Sequence, residues 1–281
     1  MANKHYPVVR RGKLDTPSST SGEIEINIER FLSKTNRRLY RQARTYRVKI
    51  DLDADSTEKF AVYALADNWM NHRALKMAYD MYLENSQDER ERLKETQIAR
   101  WSDFRVLSGA TGVTVANPIQ YNAAGVPTQY TAGDFENTLV VDAAGNAKNF
   151  SWGAASSTRY SILEEYDKAG NANQRPTTST GDMPYDDLMA DDDAVMAESL
   201  QTRGELPPYD ATGVGAASPW VKVAQLDAVS QAQKLSSGYF DAPCGFVLIT
   251  PLTGVADNLD DLSWEVQSGD YKGVNAASYL E

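Results

Sequence analysis

Cysteine and histidine are nearly missing from this sequence. Its 281 residues contain one cysteine, Cys244, and two histidines, His5 and His72. A single thiol excludes an intrachain disulfide and leaves a paired-cysteine zinc site without ligands. Beside the apolar run FVLIT, Cys244 reads as a small buried hydrophobe. His72 falls in a helical stretch with no second histidine four residues on, so neither a helical zinc pair nor a Ser-His-Asp arrangement is signalled. The glycine-rich loops that cradle nucleotide phosphates are absent, and so is the G-x-S-x-G nucleophile turn. Long apolar runs are lacking as well. Nothing near the start has the length of a signal-peptide core, and no segment approaches the roughly 18 apolar residues of a membrane-spanning helix. The expectation is a soluble chain that is not exported by that route and needs neither metal nor cofactor.

Charge is plentiful and unevenly spread. The formal net charge is −11, yet residues 1–50 hold 12 Lys+Arg against 4 Asp+Glu, leaving 16 against 35 from residue 51 onward. The stretch from Arg30 to Ile50 contains six arginines, two lysines and no acid. Within it Ile28, Phe31, Leu32, Leu39 and Ala43 recur at helical spacing. At about 100° per residue, Arg30, Lys34, Arg37, Arg38, Arg41 and Arg44 fall on the opposite side. This pattern predicts a basic amphipathic helix over 28–44. From Thr45 the period becomes two: Tyr46, Val48, Ile50 and Leu52 alternate with Arg47, Lys49, Asp51 and Asp53, as in a half-buried strand over 45–53.

Arginine's planar fork suits bidentate phosphate contact. The candidate nucleic-acid-binding residues are therefore Arg30, Lys34, Arg37, Arg38, Arg41, Arg44 and Arg47. Tyr40 is a candidate stacking platform, and Tyr46 reads as a core residue. A solvated helix face, or one docking on acidic protein, is the competing reading of the same segment. Asp51, Asp53, Asp55 and Glu58 have the look of a calcium loop. Ser56, however, stands where its sharp-turn glycine belongs, and Val62 where its bidentate glutamate belongs. These acids read instead as a solvated strand end, or as ion-pair partners for a neighbouring subunit's arginines.

Residues 1–22 lack periodicity and read as a flexible arm, followed by one β-rich domain over 23–281. In that domain 58–66 is a second strand and Asp67 a helix cap. Trp69, Ala74, Met77, Ala78, Met81 and Tyr82 then lead into a charged second helix. Together these make a helical insertion over about 67–101, with Trp101 among its few buried candidates. Short β segments are expected at GVTVANPIQY, at TLVVD and AKNFSW around a turn at 143–146, and at RYSILEEYDKAGNANQRP. A helix is expected over 186–200 in an acidic run from Asp182 to Glu198, and late strands at WVKVAQL, GFVLITPL and LSWEVQSGDY. The whole predicts a mainly β fold with helical insertions, in which first and last strands share sheets. An irregular α+β arrangement is the alternative.

The order RRLYRQARTYRVKIDLD, VYALADNWM, a helical insertion, ARWSDFRV, then PCGFVLITPL before SWEVQSGDYKG resembles capsid proteins of small circular single-stranded DNA viruses, known chiefly from environmental sequences. The resemblance implies a jelly-roll β-sandwich shell protein with no enzymatic activity. Such a subunit self-assembles as a large homo-oligomer into an icosahedral virion, built inside the host cell. It packages nucleic acid, single-stranded in that family, without a membrane. Such proteins often carry a longer, more basic amino-terminal arm, whereas residues 1–22 hold four basic residues. Charge neutralisation would then rest on the Arg30 to Lys49 segment. Two other classes compete: a nonviral nucleic-acid-binding protein, and a carboxylate-based hydrolase with two close acids in a cleft, one with a raised pKa.

Overall fold

The computed structural model describes residues 7–15, 23–53, 59–93, 101–110, 112–130, 133, 135–142, 144–169, 219–227, 234–252 and 261–280. The helix expected over 186–200, the acidic run around it, His5, Asp55 and Glu58 lie outside these residues.

The first element corrects the flexible arm. Arg11–Asp15 is a strand, β1, and its Leu14 is fully buried. Its alternation is hidden in the sequence because the inward position before Leu14 is a glycine. Gly12 lies opposite Trp264, where an added Cβ would come within 3.1 Å of the indole Nε1. Ile24–Asn27 forms β2, buried at all four residues. Its sequence does alternate, Ile24, Ile26 and Ile28 against Glu25 and Asn27, yet both polar residues are buried too, with the Glu25 carboxylate accepting from Asn27 Nδ2 and from Ser108 Oγ.

Helix α1 spans Ile28–Asn36, not the expected 28–44. Arg37 takes the left-handed conformation (φ 50, ψ 42), the usual way of ending a helix. Arg38 N–H then donates to Ser33 O (3.2 Å), and Tyr40 N–H to Ser33 Oγ (2.9 Å). Strand β3 (Arg44–Leu52) follows as its alternation predicts, with Tyr46, Val48, Ile50 and Leu52 buried. Next come β4 (Lys59–Leu65), α2 (Trp69–Asn85) and α3 (Gln87–Leu93). The cap of α2 is Asn68, whose side chain accepts from Asn71 N–H; Asp67 instead pairs with His72 at 2.6 Å.

Short strands continue the chain: β5 (Thr114–Val115), β6 (Asn117–Tyr121), β7 (Pro127–Gln129), β8 (Leu139–Val141), β9 (Ala147–Ser151) and β10 (Arg159–Ser161). β8 and β9 form the expected hairpin. The segment RYSILEEYDKAGN is not β throughout, because Ser161 Oγ accepts from Glu164 N–H and starts α4 (Ile162–Lys168). The remaining strands are β11 (Trp220–Asp227), β12 (Leu235–Ser236), β13 (Phe240–Pro243), β14 (Phe246–Pro251), β15 (Leu262–Val266) and β16 (Ala276–Ser278).

One sheet runs β12–β3–β15–β1–β6–β7, with β13 and β16 also paired to β3. A second runs β11–β4–β14–β2–β5, and a third, β10–β9–β8, lies within the insertion between β4 and β11. Pairing is antiparallel except at β2–β5 and β9–β10. The first four strands pair with later ones in reverse order: β1 with β15, β2 with β14, β3 with β13, and β4 with β11. The architecture is mainly β, built of antiparallel sheets in a layout compatible with a β-sandwich. One core joins Leu14, Val48, Ile50 and Trp264 of the first sheet to Ile24, Ile26, Val62 and Ile249 of the second. A further apolar cluster, including Phe104, Phe150, Trp152, Ile162 and Phe246, ties the insertion to the second sheet. Cys244 is buried as expected, at φ 55 beside Gly245 at φ 69, in the connection from β13 to β14.

Candidate nucleic-acid interface

The seven basic residues singled out by the sequence part company in the fold. Arg47, on β3, donates to Asp241 Oδ1 (3.0 Å) and Oδ2 (2.9 Å) across the β13 pairing. Lys34 donates to Asn117 Oδ1 (2.7 Å), and burial lowers its pKa. Arg30 donates to Asn137 Oδ1 (3.2 Å) and lies 5.6 Å from the Phe135 ring centre. The acids that follow are also matched within the chain: Asp51 lies 3.1 Å from Lys49 and 3.2 Å from Lys234, and Asp53 lies 2.8 Å from Lys13.

The other four basic residues stay together. Arg37, Arg38 and Arg41 are exposed on the turn after α1, and Arg44 opens β3 with its guanidinium 3.7 Å from the Tyr271 ring centre. Backbone and side-chain hydrogen bonds hold this turn in place. Gln42 N–H donates to Asp103 Oδ2 (2.9 Å), Gln42 Nε2 to Val106 O (3.1 Å), and Val106 N–H to Gln42 Oε1 (2.6 Å). The partner segment is itself fixed, since Arg105 N–H donates to Thr138 Oγ1 and Thr138 N–H to Arg105 O, both at 2.9 Å.

Between the turn and this segment lies a cavity of about 700 Å³, lined by Arg37, Arg38, Trp101, Asp103, Arg105, Phe135 and Glu136 among others. A second one of about 320 Å³ shares Tyr82, Ser102 and Asp103 in its lining and adds Arg41, Arg44 and Arg90; we call the two together the groove. Among the described residues the combined groove presents six guanidinium groups against two carboxylates, Asp103 and Glu136. It also carries aromatic surface: Trp101 is 65% exposed, contrary to its expected burial. Tyr40 is no stacking platform, because it is fully buried and its hydroxyl donates to Lys272 O (3.1 Å). Arg90, Trp101 and Arg105 were not among the sequence candidates. The motif ARWSDFRV held the only local sign of two of them, a tryptophan between arginines.

Beneath the groove sits a buried charge cluster. Glu29 Oε1 lies 3.7 Å from Arg105 Nη1 and 3.8 Å from Arg30 Nε, while Asp103 Oδ2 lies 3.7 Å from Arg105 Nε. Loss of water pushes the Glu29 carboxyl up to about 7 against the pull of Arg105 and Arg30. Burial likewise raises Asp103. These are two close acids with raised pKa values, but only Asp103 lines the cavity; the Glu29 side chain is wholly enclosed. No family model, curated protein or solved structure matches the chain.

Proposed function

We propose that this chain is the coat protein of a small virus with a single-stranded genome. In this reading a jelly-roll subunit assembles with copies of itself into a closed icosahedral shell and holds the genome in the arginine groove. The observation that carries the reading is the reversed strand pairing, β1–β15, β2–β14, β3–β13 and β4–β11. An antiparallel ribbon wound around a core into a jelly roll would give such a nested order, and the pairing supports that reading. Lectins and cupins use the same architecture, so the fold alone does not assign the role. The groove supports nucleic acid, because guanidinium groups interleaved with an exposed indole suit a single strand's phosphates and bases. The order of sequence motifs described above supports a virion in particular.

Arg37, Arg38, Arg41 and Arg90 are exposed. If each meets one phosphate, the logarithm of affinity falls with the logarithm of salt at a slope of about −3, from about −0.7 per phosphate on a single strand. The deciding measurement is particle size by light scattering and negative-stain microscopy, with the ratio of absorbance at 260 and 280 nm reporting trapped nucleic acid. Closed particles are expected. Monomers at every salt and pH would refute the shell, and salt-dependent oligonucleotide binding by such monomers would identify a nonviral nucleic-acid-binding protein instead.

A further inference from the structure

The larger cavity of the groove has a feature that general attraction for a polyanion does not require. Arg105 is 3% exposed, yet its Nη1 and Nη2 have no hydrogen-bond partner among the described residues. Its carboxylate neighbours stand off, Glu29 at 3.7 Å from Nη1 and Asp103 at 3.7 Å from Nε, and among the described residues both Glu29 oxygens are also without hydrogen bonds. Both Nη atoms have almost no accessible surface, so Arg105 contributes positive charge behind the cavity wall and not direct contacts. Arg105 forms part of the cavity wall, stacked 4.6 Å from the Phe135 ring centre, with Arg37 and Arg38 on the same lining.

A bare phosphate fits this lining poorly, because Asp103 and Glu136 share it and repel an anion that has no donors. Glu136, the exposed one of the two, accepts a hydrogen bond from the exocyclic amino group of a base. Trp101 supplies an exposed indole at the edge on which a base can lie. The cavity, at about 700 Å³, is in the size range of small-ligand sites.

We propose that this cavity takes one nucleotide unit of the bound strand, with its phosphate on Arg37 and Arg38 and its base on Trp101. Bases with an exocyclic amino group are preferred through Glu136. The inference deepens the nucleic-acid reading and rests on it. It makes the groove a row of contacts with one defined pocket, where a uniform basic surface would hold every unit alike.

The test titrates the full-length protein, at about 0.1 M salt, with inorganic phosphate, deoxycytidine monophosphate, thymidine monophosphate and short oligodeoxycytidine and oligothymidine strands, following tryptophan fluorescence. Ultraviolet crosslinking of the oligonucleotides, with peptide mapping, runs in parallel. Cleavage after Arg100 and Arg105 yields the peptide WSDFR, which isolates Trp101 from the other four tryptophans. The expected result is a crosslink in that peptide, quenching that is lost in Trp101→Ala, and oligonucleotide affinity reduced roughly tenfold by the same substitution. Arg38→Ala weakens mononucleotide binding too, and the cytosine ligands bind more tightly than the thymine ones. Both side chains are exposed, so neither variant threatens the fold. The pocket is overturned if oligonucleotides bind but crosslink elsewhere and Trp101→Ala keeps full affinity. It is overturned equally if inorganic phosphate competes as well as the nucleotides; in either case the groove reading survives. If the wild-type protein retains no oligonucleotide at all, the groove reading falls and the pocket with it.

Discussion

Replacing Glu29 with glutamine tests the buried cluster directly. Glu29 faces Arg30 and Arg105, with Asp103 on the far side of Arg105, and packs against the β13–β14 connection, where a Cβ on Gly245 would come 2.7 Å from its Oε2. Its pKa is about 7 in the fold against an ordinary 4.5. Folding therefore takes up a proton between those values, and native stability is fullest below the lower one and declines as pH rises through the upper. At about 1.36 kcal/mol per pH unit, that gap amounts to about 3 kcal/mol lost once the carboxyl is ionised. Glutamine is neutral at every pH and nearly the same shape. Urea unfolding of wild type and Glu29→Gln, from about pH 4.5 to about pH 8, should give stability curves that diverge by about 3 kcal/mol in favour of glutamine as pH rises. The other titrating groups are common to both proteins and drop out of the difference. Parallel curves would show that Glu29 ionises as freely in the fold as in the unfolded chain, and the account of its burial would be wrong.

Three further outcomes follow from single positions. Gly12→Val drives a branched side chain into the Trp264 indole, whose Nε1 lies 3.1 Å from where the new Cβ would stand, and should lower unfolding stability by about 1–3 kcal/mol in the same urea assay. Arg37→Gly removes a side chain from a left-handed backbone (φ 50) and should raise stability by about 1 kcal/mol while weakening oligonucleotide retention on a filter. Cys244 is buried and its thiol is pushed well up by loss of water, so a thiol reagent should leave it unmodified in the native protein and label it fully in urea.

The strands legible in the sequence were those whose inward positions are large and apolar. β3 shows Tyr46, Val48, Ile50 and Leu52 at period two, and β14 is an unbroken run because all of Phe246 to Ile249 are buried. β1 was hidden because an inward residue is a glycine that makes room for Trp264. β2 does carry a local signal, Ile24, Ile26 and Ile28 at period two, but nothing local shows that Glu25 and Asn27 between them are buried, with Ser108, far along the chain, as a partner. The end of α1 was invisible because helical spacing continues through Leu39 and Ala43 although the backbone turns at Arg37. For α4 a local signal does exist: Ser161 and Glu164 have the spacing of a capping box. Half the groove was legible as a cluster of arginines near the start. Its other wall comes from the β4–β11 insertion, and no local pattern announces that Trp101 and Arg105 will face residues 37 and 38.

The position of the insertion explains how an acidic chain keeps a positive groove. Along β3 the outward Arg47 and Lys49 meet Asp241 and Glu265 of neighbouring strands, so sheet pairing cancels their charge. Arg37, Arg38 and Arg41 leave α1 on an irregular turn to which no strand is paired among the described residues. Of the two described carboxylates in their groove, Asp103 is already engaged by Gln42 N–H and Arg105. Charge separation here is a consequence of topology: basic residues in the sheet are matched by the strands that pair with them, whereas on the turn Arg41 lies 4.0 Å from Asp103 and no described carboxylate pairs with Arg37 or Arg38, which are left for a partner outside the chain. At physiological salt, interactions are screened beyond about 8 Å. A strand in the groove therefore responds to these arginines far more than to the net charge of −11.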